Sequence, residues 1–168
     1  MERTREGPFS FPNFAPMRIL MVCLGNICRS PMAEGVLREL ARQRGLDLRI
    51  DSAGTGSYHE GEAPDRRAQA AMQRQGIDIG DLRARQLTAA DFDRFDLLLA
   101  MDAHNQRDMR RLAPNVALAQ KAQLIMDHAP AHALREVPDP YYGGDAHFDA
   151  VYHMLHEACG NLLNDVRS

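Results

Sequence analysis

The sequence predicts an α/β domain, a single unit with a four-stranded parallel sheet covered by helices on both faces. Three observations carry that prediction. Short apolar runs of strand character alternate with segments of helical apolar spacing along the chain. The length, 168 residues, is near the ~100–150 residue mode of one domain. Apolar residues at 45% and charged residues at 26% make an ordinary globular composition, and no apolar run approaches the ~20 residues that cross a bilayer, so membrane insertion is not expected. Alternation of strand and helix implies right-handed crossovers, with ligands bound at the carboxyl ends of the strands.

The elements follow in order. Residues 1–16 hold three prolines and no apolar period, and read as a flexible extension before a domain over residues 17–168. Met17 to Cys23 is a short apolar run that fits a buried strand. A helix follows, with Ser30 as cap, Pro31 in its first position, and Met32, Val36, Leu37 and Leu40 at helical spacing up to Gly45. Leu48 to Ala53 alternates like a second strand, and the glycines at 54, 56 and 61 make the next stretch a loop. Asp65 to Gln75 reads as a helix stopped by Gly76, and Thr88 with Asp91 as a capping pair opening a short turn. Phe95 to Met101 is the third strand, and Asp102 caps a helix running to about Leu112. Ala122 to Met126 is a weaker fourth strand, followed by a long loop through Gly144. A wide apolar stripe from Phe148 to Val166 marks the last helix.

Charge and cysteine usage narrow the function. With 23 acidic against 20 basic side chains the net charge is −3, so no global positive field argues for nucleic acid. Three cysteines with no leader segment do not make a disulfide framework, and point to a reducing cytoplasm. Their spacing fails the zinc patterns, which leaves reactive or buried thiols.

The chemistry gathers at the end of the first strand. Cys23-Leu24-Gly25-Asn26-Ile27-Cys28-Arg29-Ser30 lies between a strand and a helix. A loop entering a helix amino terminus turns backbone N–H groups inward as an anion cradle, and the partial positive charge there favours a thiolate. Arg29 adds a planar fork that can hold two phosphoryl oxygens. A thiolate facing bound phosphate is poised for in-line attack. The competing reading of Cys23 is a small buried hydrophobe at a strand end. Asp139 is the best-placed general acid, held extended by Pro140 in a loop ending at Gly143-Gly144; its alternative is a plain Asp-Pro turn. Tyr141 and Tyr142 in that loop can wall an aromatic slot or pack on neighbours.

Four segments, Cys23 to Pro31 (CLGNICRSP), Asp51-Ser52-Ala53-Gly54, Ala84-Arg85-Gln86 and Asp139-Pro-Tyr-Tyr-Gly143, resemble the low-molecular-weight protein tyrosine phosphatases, in the family's order. The likeness runs from about Arg18 to Val166. It implies strand order 2-1-3-4 and a two-step reaction without metal or cofactor. Cys23 takes the phosphoryl group, Arg29 binds it, and Asp139 protonates the departing phenol and then activates water. Asn26 and Ser52 brace the loop, and Ser30 hydrogen-bonds the Cys23 thiolate. Leu24, Tyr58 and Tyr141, with Tyr142 beside them, line a slot whose depth favours phosphotyrosine over phosphoserine. The implied partner is a phosphotyrosine-containing protein, such as the tyrosine kinases that bacterial members serve, with phosphate as product or inhibitor. A loop curled around phosphate also brings Cys28 close enough to Cys23 for an oxidative disulfide that protects the nucleophile.

Rival functions differ in identifiable residues. Arsenate-reducing relatives need a further cysteine pair, and only Cys159 remains, on the apolar stripe. Phosphoarginine phosphatases carry Thr where this chain has Ile27. A phosphocysteine carrier or phosphate-binding module keeps the cradle without needing Asp139. One departure from the family stands out: many members place a His before the Ala-Arg-Gln stretch, where it bonds the loop Asn, but Gly80-Asp81-Leu82-Arg83 stands here. Leu82 cannot hydrogen-bond, and Asp81 either reaches Asn26 or caps a turn in solvent. Among other polar residues, His153 and His156 read as surface, Cys159 as core, and His59 and His147 as solvated loop positions. Pro130 argues against a helix aligning His128 with His132, and Asp102 reads as a cap rather than an acid.

Overall fold

The computed structural model describes residues 15–167, so all but the last two residues of the extension lie outside the described part. Four strands form one parallel sheet: β1 (Met17–Cys23), β2 (Leu48–Gly54), β3 (Leu97–Ala100) and β4 (Ala122–Leu124), in the order β2-β1-β3-β4. β1 is central. It pairs from Met17↔Leu48 to Cys23↔Gly54 on one side and from Ile19↔Leu97 to Val22↔Ala100 on the other. The chain leaves β1 toward β2 and later returns to β1's other side, so the carboxyl end of β1 is the switch point where open α/β sheets bind ligands.

The two-residue period of β1 divides the core. Ile19 and Met21 face a layer built from α1 (Arg29–Gln43), α2 (Arg66–Gln73) and α6 (Asp145–Arg167), including Val36, Leu37, Met72, Phe148 and Leu155. Leu20 and Val22 face the opposite layer, with Phe92 of α3 (Asp91–Arg94) and Met109 of α4 (Ala103–Leu112). Helices therefore cover both faces. β1 is buried from Ile19 to Cys23, as a strand between two layers must be.

Several local expectations change. Ser30 does not cap α1: the cap position is Cys28, no side chain bonds there, and the Ser30 hydroxyl points inward to Cys23 and Asn26. α3 begins at Asp91 itself, whose carboxylate reaches back to the Thr88 N–H at 2.9 Å, one half of the expected capping pair. The third and fourth strands are shorter than the apolar runs, because the flanking residues turn out of the sheet. α5 (Val116–Ala119) and a 3₁₀ turn (Ile125–His128) occupy stretches too short to show a period in the sequence. Asp65 caps α2, and Asp102 caps α4 by accepting from Asn105 N–H at 2.8 Å. No helix among the described residues is long and apolar enough to cross a membrane.

Candidate active site

The loop from Cys23 to Arg29 turns on Asn26, whose φ of 58° is the left-handed conformation that asparagine tolerates better than most residues. The end of β2 packs hard against it: a Cβ on Gly54 would lie 2.7 Å from the Leu24 carbonyl. Asn26 is the hub. Its carbonyl oxygen accepts from the Arg85 backbone N–H at 3.0 Å, and its amide nitrogen donates to Ser30 Oγ at 2.7 Å and Ser52 Oγ at 3.0 Å. The Ser52 hydroxyl in turn donates to Glu34 Oε1 at 2.6 Å. Ser30, having accepted from Asn26, keeps a proton free for Cys23 Sγ at 3.1 Å. The hydrogen bonds thus fork at the Asn26 amide: one branch ends on the Glu34 carboxylate, and the other ends with a donor offered to the sulfur.

Arg29 opens α1 and is only 3% exposed. Its Nη1 donates to Asp102 Oδ2 at 2.7 Å and to the Val137 carbonyl at 3.0 Å, while Nη2 lies 3.8 Å from Asp139 Oδ2. Burial works against this cation, but Cys23, Asp102 and Asp139 more than offset it and hold the guanidinium charged. Asp139 has a half-exposed side chain, and its Oδ1 accepts from the Tyr141 N–H at 3.1 Å, so an Asx turn shapes the loop. Cys23, Arg29 and Asp139 line one cleft of about 330 Å³ with Leu24, Ile27, Tyr58 and Tyr141.

A family model for low molecular weight phosphotyrosine protein phosphatases matches residues 18–168. The chain belongs to that family. The low molecular weight protein-tyrosine-phosphatase of Streptomyces coelicolor is 45% identical over 89% of this chain and 93% of its own length. The human low molecular weight phosphotyrosine protein phosphatase is 42% identical over 89% of this chain and 95% of its own. The crystal structure of a protein tyrosine phosphatase from Entamoeba histolytica, with Hepes in its active site, superposes with a TM-score of 0.86 at 38% identity, covering 90% and 97% of the two chains.

Against the family pattern, the missing histidine is not replaced by Asp81, which is exposed; Leu82 packs on the core, and the Arg85 main chain holds Asn26. His59 corrects an expectation. It is not simply solvated but stands in the cleft wall, bonded to Glu62 at 3.0 Å, with its ring 6.5 Å from that of Tyr141. His147, by contrast, is exposed. Tyr142 is 95% exposed and sits edge-on to Tyr141 at 5.0 Å, so it props the wall of the phosphatase cleft rather than burying itself there. Cys28 is buried and its thiol is pushed well up, by burial first and then by Asp65, Cys23 and Asp139, with Arg67 opposing. Burial alone pushes Cys159 up to about 12.

Sequence reading did not assign three residues that bond into this candidate site. Asp102 was visible as a cap, yet its place at the end of the strand beside β1 also fits it to grip Arg29. Glu34 lies one helical turn after Ser30 on the buried face, a position where a carboxylate signals a polar partner. Burial raises its pKa, with Ser52 and Arg38 offsetting part of the rise. Arg85 bonds both Asp51 and the fully buried Asp91.

Proposed function

We propose that this chain hydrolyses phosphotyrosine in proteins through a phosphocysteine on Cys23. The observation that carries the proposal is the convergence of Cys23, Arg29 and Asp139 on one cleft at the carboxyl end of β1. The Cys23 thiolate attacks phosphorus in line while the amino-terminal N–H groups of α1 and the Arg29 guanidinium take up the charge on the phosphoryl oxygens. Asp139, protonated, gives its proton to the phenolic oxygen as the P–O bond breaks. As a carboxylate it then accepts a proton from the water that splits the S–P bond, and phosphate leaves.

Leu24, Tyr58 and Tyr141, with Tyr142 behind, suit a flat ring reaching down to the loop. Ile27 offers the cleft no side-chain hydrogen bond for a guanidinium, which favours phosphotyrosine over phosphoarginine. Cys159 is fully buried in α6 away from the cleft, poorly placed for an arsenate-reducing relay. A pure phosphate carrier leaves Asp139 beside Arg29 without a purpose. Three free thiols, one needed as nucleophile, suit a reducing cytoplasm. The partner is then a tyrosine-phosphorylated protein, such as a bacterial tyrosine kinase. The catalytic unit begins at Met17, in keeping with a family match that starts at residue 18, and residues 1–16 are an appendage.

Side-by-side turnover of phosphotyrosine, phosphoserine and phosphoarginine peptides tests the reading. Phosphotyrosine should be cleaved fastest, and Cys23→Ser should lower its turnover by ~10⁵–10⁶-fold, the scale of losing a nucleophile, while still binding phosphate. Faster cleavage of phosphoarginine overturns the substrate, and one burst of phenol without turnover makes the chain a carrier.

A further inference from the structure

Arg67, which the catalytic scheme above does not use, joins the two halves of the site. Asp65 starts the connection: its N–H donates to the Ile27 carbonyl in the phosphate loop at 2.8 Å. Its carboxylate then grips Arg67 with both oxygens, Oδ1 accepting from Nε at 3.0 Å and Oδ2 from Nη2 at 2.9 Å. That leaves Nη1, which donates to the Gly143 carbonyl at 3.0 Å, in the loop that carries Asp139. The guanidinium carbon lies 4.7 Å from the centre of the buried Phe148 ring and 5.5 Å from that of Tyr141.

The Asp139 loop has few other anchors. Its entry is fixed at Val137, where the N–H donates to Met101 and the carbonyl accepts from Arg29. Beyond that point its hydrogen bonds are local: Tyr141 N–H to Asp139, Gly143 N–H to the Pro140 carbonyl at 2.8 Å, and His147 N–H to the Gly144 carbonyl at 3.0 Å; Asp139 itself adds a longer ion pair to Arg29 Nη2 at 3.8 Å. Among the described residues, Arg67 alone sends a side-chain hydrogen bond into residues 138–144 from outside. The tight turn from Asp139 to Gly143 transmits that hold. Fixing the Gly143 carbonyl and the Tyr141 ring fixes the direction of the Asp139 carboxyl group.

We propose that Arg67 is a positioning residue for leaving-group protonation, a strut that sets Asp139 at a fixed distance from the phosphate loop. The proposal rests on Asp139 being the general acid. A proton donor is useful only within about 2.6–3.2 Å of its acceptor. Pro138 and Pro140 stiffen the backbone at Asp139, but its half-exposed side chain keeps such a distance only if the loop as a whole is held against the phosphate loop. The fork geometry requires arginine: one planar group meets Asp65 with two nitrogens, reaches Gly143 with a third, and lies against two rings. Lysine supplies the charge but cannot make all these contacts together.

The test is the leaving-group dependence of kcat/KM for Arg67→Met, which keeps an apolar stem against Phe148. For aryl phosphates with unactivated phenols, kcat/KM should fall ~10–10² fold, part of the usual yield of a positioned acid; for activated nitrophenols it should fall under ~3-fold. Arg67→Lys should recover part of the loss. Asp139→Asn, measured in parallel, separates the two levels of the account. In that background Arg67→Met should add little, because both changes remove one function. If Asp139→Asn discriminates between leaving groups and Arg67→Met slows all substrates alike, the strut is wrong and Asp139 remains the acid. If neither variant discriminates, the reading of Asp139 has failed. Should Arg67→Met unfold by circular dichroism, Arg67→Lys decides in its place: a folded Lys variant with unchanged leaving-group dependence overturns the proposal.

Discussion

The loop from Cys23 to Arg29 and the loop that carries Asp139 meet in one cleft but are built on opposite principles. Around the first, Cys23, Asn26, Arg29 and Ser30 are nearly inaccessible, and each of these four side chains has a hydrogen-bond partner. Around the second, Asp139 is half-exposed, Tyr142 stands in solvent, and most bonds span only a few residues. Phosphoryl binding demands many donors fixed before the substrate arrives, since reorganising them costs rate. Proton transfer and ring selection need only two or three groups near the mouth. Burial suits the common chemistry, and exposure suits the part that must admit a protein-bound ring.

The contrast predicts effects of decreasing size. Asp139→Asn should lower kcat/KM by ~10²–10⁴ for poor leaving groups and much less for activated phenols. An equal loss with both, measured across a series of aryl phosphates, removes Asp139 from the acid role. Oxidation should sharpen the contrast on the buried side. Peroxide-treated enzyme should regain activity with a dithiol, through a Cys23 to Cys28 disulfide that halts further oxidation, whereas Cys28→Ser should regain at least ~10-fold less, because its nucleophile goes on to irreversible acids. Equal recovery denies Cys28 that protective role. Cys159, with its thiol held neutral, should resist alkylation at neutral pH throughout.

A smaller effect concerns Glu34. Burial raises its pKa above the ordinary 4.5. Its contribution to stability is therefore fully present below that ordinary value and is lost as pH rises through the raised one. Glu34→Gln cannot ionise, so wild type should lose stability relative to it as pH increases across that window. Urea unfolding of both proteins at several pH values measures the difference, and a constant gap contradicts the sign.

How much of this was legible in the sequence depends on how local each signal is. The strand, the loop and the helix around Cys23 follow from adjacent residues, so their place was readable. The roles of Ser30 and Asp102 were half readable. Both are residue types that cap helices, and Asp102 does so, but Ser30 turns inward because Asn26 and Cys23, brought close by the left-handed turn, replace the cap. Partners distant in sequence were not readable. Arg85 lends Asn26 a main-chain N–H, which no side-chain identity announces, and the Asn26 carbonyl oxygen therefore has a partner without a histidine. Arg67 meets Gly143 across 76 positions, and His59 reaches the cleft only because β2 ends beside the loop.

The central claim is a covalent bond from Cys23 to phosphorus, and the direct measurement is mass spectrometry of enzyme quenched in acid during turnover of an aryl phosphate. The account predicts one added phosphoryl group, mapping to the peptide at Cys23 and absent from Cys23→Ser. Undiminished turnover with no phosphoenzyme, or a phosphoryl group on another residue, contradicts it.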